Sequence, residues 1–378
     1  MRQFLSATLT MALVTGCAGN RVVSFPESFD TKEKGLFVPP GICYRDSRFL
    51  VAQGDSWFSY APPDNLVFNA SGDVLSDLMD PLVDNRDKFC VLSVATAGKT
   101  IAQMDTEDEM SRVEKAFAEL KKQELAPEAV LLSGGGNDAQ DIYKSFFRSF
   151  DPNWLKYDSQ YIESHFNEFS DEKVVNDFVA STVSTLVEVS NKIFDLETRY
   201  FGKHLPIVIH GYDYPIPDGS APGAIFGTLI GPWLQPGFNA HGYSMPAYRS
   251  VGTTSVQALE KLRIATALTH VFMDKYNERI KVVGSKGELK GPIVFVDIRN
   301  TMSQAGEKPF DMSPWRGEQN YWTYWQNEMH PSTCGFEHVT YKFIAKLNDL
   351  HAVRPLEESV GCSKEGAPRA ASVSTKSK

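Results

Sequence analysis

Five near-continuous apolar runs, separated by stretches with helical spacing, restrict this chain to folds built on a buried parallel sheet. The runs are Arg48 to Gln53, Phe89 to Ala95, Ala129 to Ser133, Pro206 to Gly211 and Pro292 to Ile298. None alternates apolar with polar residues, as a strand with one wet face would. Between them, Val74 to Leu82, Arg112 to Glu124, Glu172 to Tyr200, Val256 to Tyr276 and Gly335 to Leu350 carry apolar residues three and four apart, which predicts helices. Two inserts interrupt the pattern, at 141–170 and 214–254. The second is rich in Pro, Gly and aromatic residues. Long inserts of that composition are commonly functional, and this one is expected to form a lid or pocket wall.

At 378 residues, with 42% hydrophobic and 22% charged residues, the chain can bury one large core, assigned to a single domain over 35–355. The formal charge is −9, and no basic run precedes the extreme C-terminus, which argues against nucleic acid as a partner. Residues 1–16 have the pattern of an export signal: Arg2, an apolar stretch from Phe4 to Val14, then small residues before Cys17. That stretch is too short to span a bilayer. The segment Leu13-Val14-Thr15-Gly16-Cys17 resembles a bacterial lipobox. The resemblance implies acylation of Cys17 and membrane contact through a lipid anchor in the cell envelope, with Ala18 favouring an outer membrane. Ordinary secretion is the alternative. Residues 17–34 read as a polar linker and 356–378 as a disordered tail. Cys43, Cys90, Cys334 and Cys362 remain, forming disulfides or staying as buried thiols, with pairing open.

Candidate chemistry lies at the carboxyl ends of the predicted strands, where open α/β sheets bind ligands. The first strand runs into Gly54-Asp55-Ser56-Trp57-Phe58, and the third into Ser133-Gly134-Gly135-Gly136-Asn137-Asp138. Glycines there let the backbone turn sharply and approach a ligand. An Asn amide in such a loop suits a developing oxyanion. After the second strand comes Ala97-Gly98-Lys99-Thr100. After the fifth, Trp325-Gln326-Asn327-Glu328-Met329-His330-Pro331 leads into the last helix. Singly, each motif also reads as a turn or a cap.

In this order, the Gly54-Asp55-Ser56, Gly98, Gly136-Asn137-Asp138 and His330-Pro331 blocks resemble the four blocks of the SGNH (GDSL-like) hydrolase superfamily. The GDSWF and NExHP motifs resemble those of a recurring subgroup of such sequences. The resemblance spans about Arg48 to Leu350 and implies a three-layer α/β/α, flavodoxin-like sandwich with strand order 2-1-3-4-5. It implies Ser56 as nucleophile and His330 as base. The oxyanion hole would be the Ser56 and Gly98 N–H groups with the Asn137 amide, and no cofactor or metal is required. The family usually has Asp three residues before this His, whereas here the position is Asn327. Asn327 is expected to orient His330 through its side-chain oxygen, with Glu328, Asp311 or a backbone carbonyl as alternatives. Asp55 and Asp138 are expected to tie the loops together.

The implied partner is an ester: a small molecule, a lipid or an acylated glycan. Trp57, Tyr212, Asp213 and Trp325 are candidates for contacting it, and oligomeric state is not legible. A different class, a non-catalytic envelope lipoprotein binding a glycan or lipid, would use Trp57, Tyr60, Trp315, Trp322, Tyr324 and Trp325 as stacking surface. Two other chemistries have weak support. Ser93 stands where a phosphate-binding loop needs its first Gly. The His330, Cys334, His338 stripe would need one helix to hold zinc, but Pro331 sets His330 ahead of that helix.

Overall fold

The computed structural model describes residues 22–23, 43–60, 73–79, 89–220, 224–225, 228–229, 232–245, 255–283, 287–302 and 324–350. The export segment, Cys17, the tail, Cys362, Asp311, Trp315 and Trp322 lie outside the described residues, as does part of the second insert.

All five predicted strands form, each within two residues of its expected bounds: β1 (Arg48–Gln53), β2 (Phe89–Ser93), β3 (Ala129–Leu132), β4 (Ile207–His210) and β5 (Ile293–Val296). They pair in parallel in the order β2-β1-β3-β4-β5, the flavodoxin-like arrangement expected above. Apart from Arg48, every residue of β1 to β4 is buried, which explains why their sequences do not alternate.

Helices α1 (Val74–Met79), α2 (Glu107–Lys122), α3 (Glu172–Phe201), α4 (Val256–Lys281) and α5 (Thr333–Asp349) connect or follow the strands. Their termini follow capping chemistry more closely than apolar spacing. Asp171, Ser255 and Ser332 each accept a backbone N–H from the first turn of α3, α4 and α5, and Gly202 ends α3 at φ 70°. Helix α2 begins five residues before the predicted Arg112, because Glu107, Asp108 and Glu109 form a first turn that suits the helix dipole but carries no apolar signal.

Right-handed crossovers dictate the layers. The connection from β1 to β2 runs one way along the sheet and puts α1 on one face. Those from β2 to β3 to β4 to β5 run the other way and put α2, α3 and α4 opposite. The contacts agree: α3 packs on both α2 and α4, while α1 packs on α5. The direction reverses between β1 and β3, so the crevice at their carboxyl ends lies between the Ser56 and Asn137 loops.

Of the open cysteine pairings, Cys43 is bonded to Cys90 at the start of β2, and Cys334 is also disulfide-bonded. The first insert has structure its composition did not announce: it follows on a helix at Gly136–Ile142 and holds a 3-10 turn at Pro152–Lys156 and short helices at Ser159–Ser164 and Phe166–Phe169. Several of its aromatics are core. Phe146 stacks on Phe272 of α4 at 5.3 Å, and Phe147 on Phe238 of the second insert at 4.0 Å.

Candidate active site

Ser56 follows β1 in a turn closed by the Phe58 N–H on the Asp55 carbonyl, 3.1 Å. Gly54 is required there, since a Cβ would stand 2.8 Å from that of Ser133 at the end of β3. His330 comes from a loop that doubles back before α5. Its carbonyl accepts the Gln326 N–H at 2.9 Å, and the Tyr324 carbonyl accepts the Ser332 N–H at 2.8 Å. The two loops, 274 residues apart, meet with His330 Nε2 at 2.7 Å from Ser56 Oγ. On the far side of the ring, Nδ1 lies 3.0 Å from Asn327 Oδ1.

The tautomer follows from the partners. An amide oxygen only accepts, so Nδ1 carries the hydrogen and Nε2 offers its lone pair to the Ser56 hydroxyl. Asn327 Oδ1 also accepts the Met329 and His330 N–H groups, both at 3.0 Å, which fixes the amide orientation. Its Nδ2 donates to the Tyr60 hydroxyl at 3.1 Å. The Tyr60 ring stacks on the imidazole at 4.3 Å and 24°, and Trp233 meets it at 72°. Ser56 is 8% and His330 5% exposed, a narrow opening. With no charged group beside it among the described residues, burial pushes the imidazole pKa down to about 3.

The remaining loops are tied to this pair. The Gly54 carbonyl accepts the Thr96 N–H at 2.9 Å, which joins the Gly98 loop to the Ser56 loop. Asn137 Nδ2 donates to the Lys99 carbonyl at 3.1 Å, and the Asp138 carboxylate accepts the Ile101 N–H at 3.0 Å. Gly98 adopts φ 80° in that turn, a conformation suited to glycine. Asp55 binds both neighbours: Oδ1 accepts the Trp57 N–H at 3.1 Å and the Ser133 hydroxyl at 2.7 Å, while Oδ2 accepts the Tyr212 hydroxyl at 2.9 Å. Tyr212 in turn accepts the Gly136 N–H at 2.9 Å. Both aspartates thus tie loops together, as expected.

Three residues behind this network escaped sequence reasoning. His210, the last residue of β4, places Nε2 2.9 Å from Ser133 Oγ. Tyr276 donates to the Gly134 carbonyl at 2.8 Å, and Gly135, at φ 112°, leaves the space its hydroxyl fills. Asn277 pairs with the backbone of Tyr212, accepting its N–H at 2.9 Å and donating to its carbonyl at 2.7 Å. A polar residue closing an apolar strand was the one available signal for His210.

Glu328 does not orient the imidazole, which corrects one alternative. Its carboxylate accepts four backbone N–H groups of the second insert, from Gly219, Trp233, Leu234 and Gln235, at 2.7 to 3.0 Å. Asp218 is buried nearby, and burial with the Glu328 charge raises its pKa. The second insert is thus held to the His330 loop at Gly219 and at Trp233 to Gln235.

Among the four candidate contact residues, all line one apolar cavity of about 20 Å³, with Leu234, Met273 and Met329 among the others. Two of them have their polar atoms engaged structurally: Tyr212 as above, and the Asp213 carboxylate, which accepts the Tyr214, Asn300 and Met302 N–H groups at 2.7 to 2.9 Å. The zinc stripe fails because Cys334 is disulfide-bonded and both His330 nitrogens are engaged.

No protein-family model and no curated protein matches the chain. Among solved structures it is similar to the lipase Lip_vut3 from a goat rumen metagenome, at 14% identity over 79% of this chain and 97% of that one, with a TM-score of 0.40. It is also similar to a catalytic mutant of Axe2, an acetylxylan esterase from Geobacillus stearothermophilus, at 14% identity over 82% and 97%, TM-score 0.36. AlinE4, an SGNH-hydrolase family esterase, aligns at 18% identity over 52% and 68%, TM-score 0.25. At such scores the likenesses carry no weight on chemistry, which has to come from the residues themselves.

Proposed function

We propose that the protein is a serine esterase of SGNH type, in which Ser56 is the nucleophile, His330 the base and Asn327 the residue that sets the imidazole tautomer. The observation that carries this is the 2.7 Å contact between His330 Nε2 and Ser56 Oγ, with Nδ1 held by Asn327. Ser56 Oγ attacks the ester carbonyl while its proton passes to Nε2. The oxyanion is held by the Ser56 and Gly98 N–H groups and the Asn137 amide. Collapse breaks the bond to the alcohol, which leaves with the proton from Nε2. Water then attacks the acyl-enzyme, gives a proton to Nε2, and the released Ser56 recovers it. The small apolar cavity beside Trp57 and Met329 favours short acyl groups.

Export and attachment through Cys17 to a bacterial envelope belong to the same proposal. The Cys43–Cys90 disulfide supports an oxidising compartment.

Fluorophosphonate labelling, with hydrolysis of p-nitrophenyl esters of graded chain length, tests the enzyme. Labelling lost in Ser56→Ala and fastest turnover of the acetate are expected. Asn327 in place of a carboxylate favours the second reading, a non-catalytic binder of glycan or lipid. A folded protein that neither labels nor hydrolyses would establish it.

A further inference from the structure

Tyr60 touches both members of the His330–Asn327 pair, and a residue placed only to fill space would not need to. Its hydroxyl accepts the Asn327 amide hydrogen at 3.1 Å, and its ring covers the imidazole face at 4.3 Å and 24°. The backbone beneath is fixed as well. The Tyr60 N–H donates to Asp73 Oδ2 at 3.2 Å, and Asp73 Oδ1 accepts the Ser76 N–H at 2.8 Å in the first turn of α1.

Among the described residues, the groups that face His330 are Ser56, Asn327, Tyr60 and Trp233, none of them charged near neutral pH, while Glu328 is turned to the insert. When the imidazole takes the Ser56 proton, its positive charge has no carboxylate partner among the described residues. An aromatic face is the alternative that this environment supplies, because its quadrupole attracts a cation lying over it, and more strongly when water is excluded.

We propose that Tyr60 is a positioning residue that replaces part of the missing carboxylate: its ring face stabilises the imidazolium of His330, and its hydroxyl holds Asn327 in register. The inference rests on the proposed role of His330 as base. Burial raises the Tyr60 phenol to about 12, so the hydroxyl stays intact over the working range.

The test keeps shape constant and varies only the ring electrons. Tyr60→Phe removes the hydroxyl. Substituting 3,5-difluoro- and then 3,4,5-trifluorophenylalanine at the same position weakens the quadrupole at nearly unchanged volume. Two readouts are taken across this series: the acid limb of kcat/KM with Asn327 present, and the His330 pKa by NMR in the Asn327→Asp background, where a carboxylate lifts the imidazole into the titratable range.

Both values should fall stepwise, by about half a unit to one unit from the first ring to the last. Tyr60→Phe should lower kcat several-fold with KM unchanged. A flat series in both readouts overturns the proposal. Because NMR titration needs no turnover, a protein that hydrolyses nothing would sink the esterase reading while leaving the ring effect measured on its own terms.

Discussion

Two serine–histidine pairs stand at the same edge of the sheet. Ser56 and His330 are 2.7 Å apart and partly open, whereas Ser133 and His210 are 2.9 Å apart and sealed at 0% exposure. Proximity alone does not separate them; their other partners do. Ser133 has one hydroxyl hydrogen between two acceptors, His210 Nε2 and Asp55 Oδ1 at 2.7 Å, and it joins β3, β4 and the Ser56 turn. The Ser56 hydroxyl has a lone pair waiting on one side and the narrow opening on the other. Among the described residues a carboxylate lies in the buried network and none on the open imidazole, which fits a structural role for the first pair and the proposed catalytic role for the second.

The sharpest way to break this contrast is to remove each hydroxyl in turn. Ser56→Ala should lower kcat by about ten-thousandfold or more, as loss of a nucleophile does. Labelling that survived in Ser56→Ala and vanished in Ser133→Ala would reverse the assignment. Next in size, Asn327→Asp should raise kcat/KM by about tenfold and move its acid limb up by about one unit or more, because a carboxylate favours the imidazolium. The Tyr60 hydroxyl can turn to donate to the new carboxylate. An unchanged or lower rate would show that Asn327 has no orienting role. Ser133→Ala, by contrast, should keep activity within about tenfold and cost about 1–3 kcal/mol in chemical denaturation, since Asp55 and His210 lose a shared partner.

The smallest expected effect is a pH dependence of stability. Burial holds His330 at about 3 and His210 at about 4, so the unfolded chain binds more protons below pH about 6.5 and these residues favour folding as pH rises to there. Glu197 behaves oppositely. Burial raises it to about 8, and Asp218 and Glu328 are raised as well, so the folded state binds the extra protons. Above pH 6.5 the histidines are neutral in both states and only the carboxyls act, so the melting temperature should fall between pH 6.5 and 8. A rise over that interval in calorimetry would contradict the burial of these carboxyls.

What was legible in the sequence follows the same division. Strands buried on both faces announce themselves as unbroken apolar runs, so β1 to β4, and the half-buried apolar run of β5, could be anticipated, as could the loops at their carboxyl ends, whereas the strand order was expected only from the family resemblance. Ser56, Asn327 and His330 are brought together as expected, because glycine-rich turns and a loop before a capped helix leave local marks. His210 was hidden inside an apolar run, since one polar residue closing Ile207–His210 resembles a strand end. The helices of the first insert rest on Asp151 and Asp158 caps and on ring packing with α4, and such tertiary contacts have no period. The role of Glu328, kept only as an alternative to Asn327, could not be read because its partners lie 93 to 109 residues away on the backbone of the second insert, and backbone amides carry no sequence signal.

The four amides gathered by Glu328 bear on any attempt to give this scaffold new selectivity. A transplanted segment between Asp218 and Met245 would have to offer the same quartet of donors, or the side chain next to Asn327 would be stranded as an unsolvated anion and the loop bearing His330 would shift. Alterations confined to side chains such as Trp233 or Leu234 keep that clasp intact, and they are where redesign should begin.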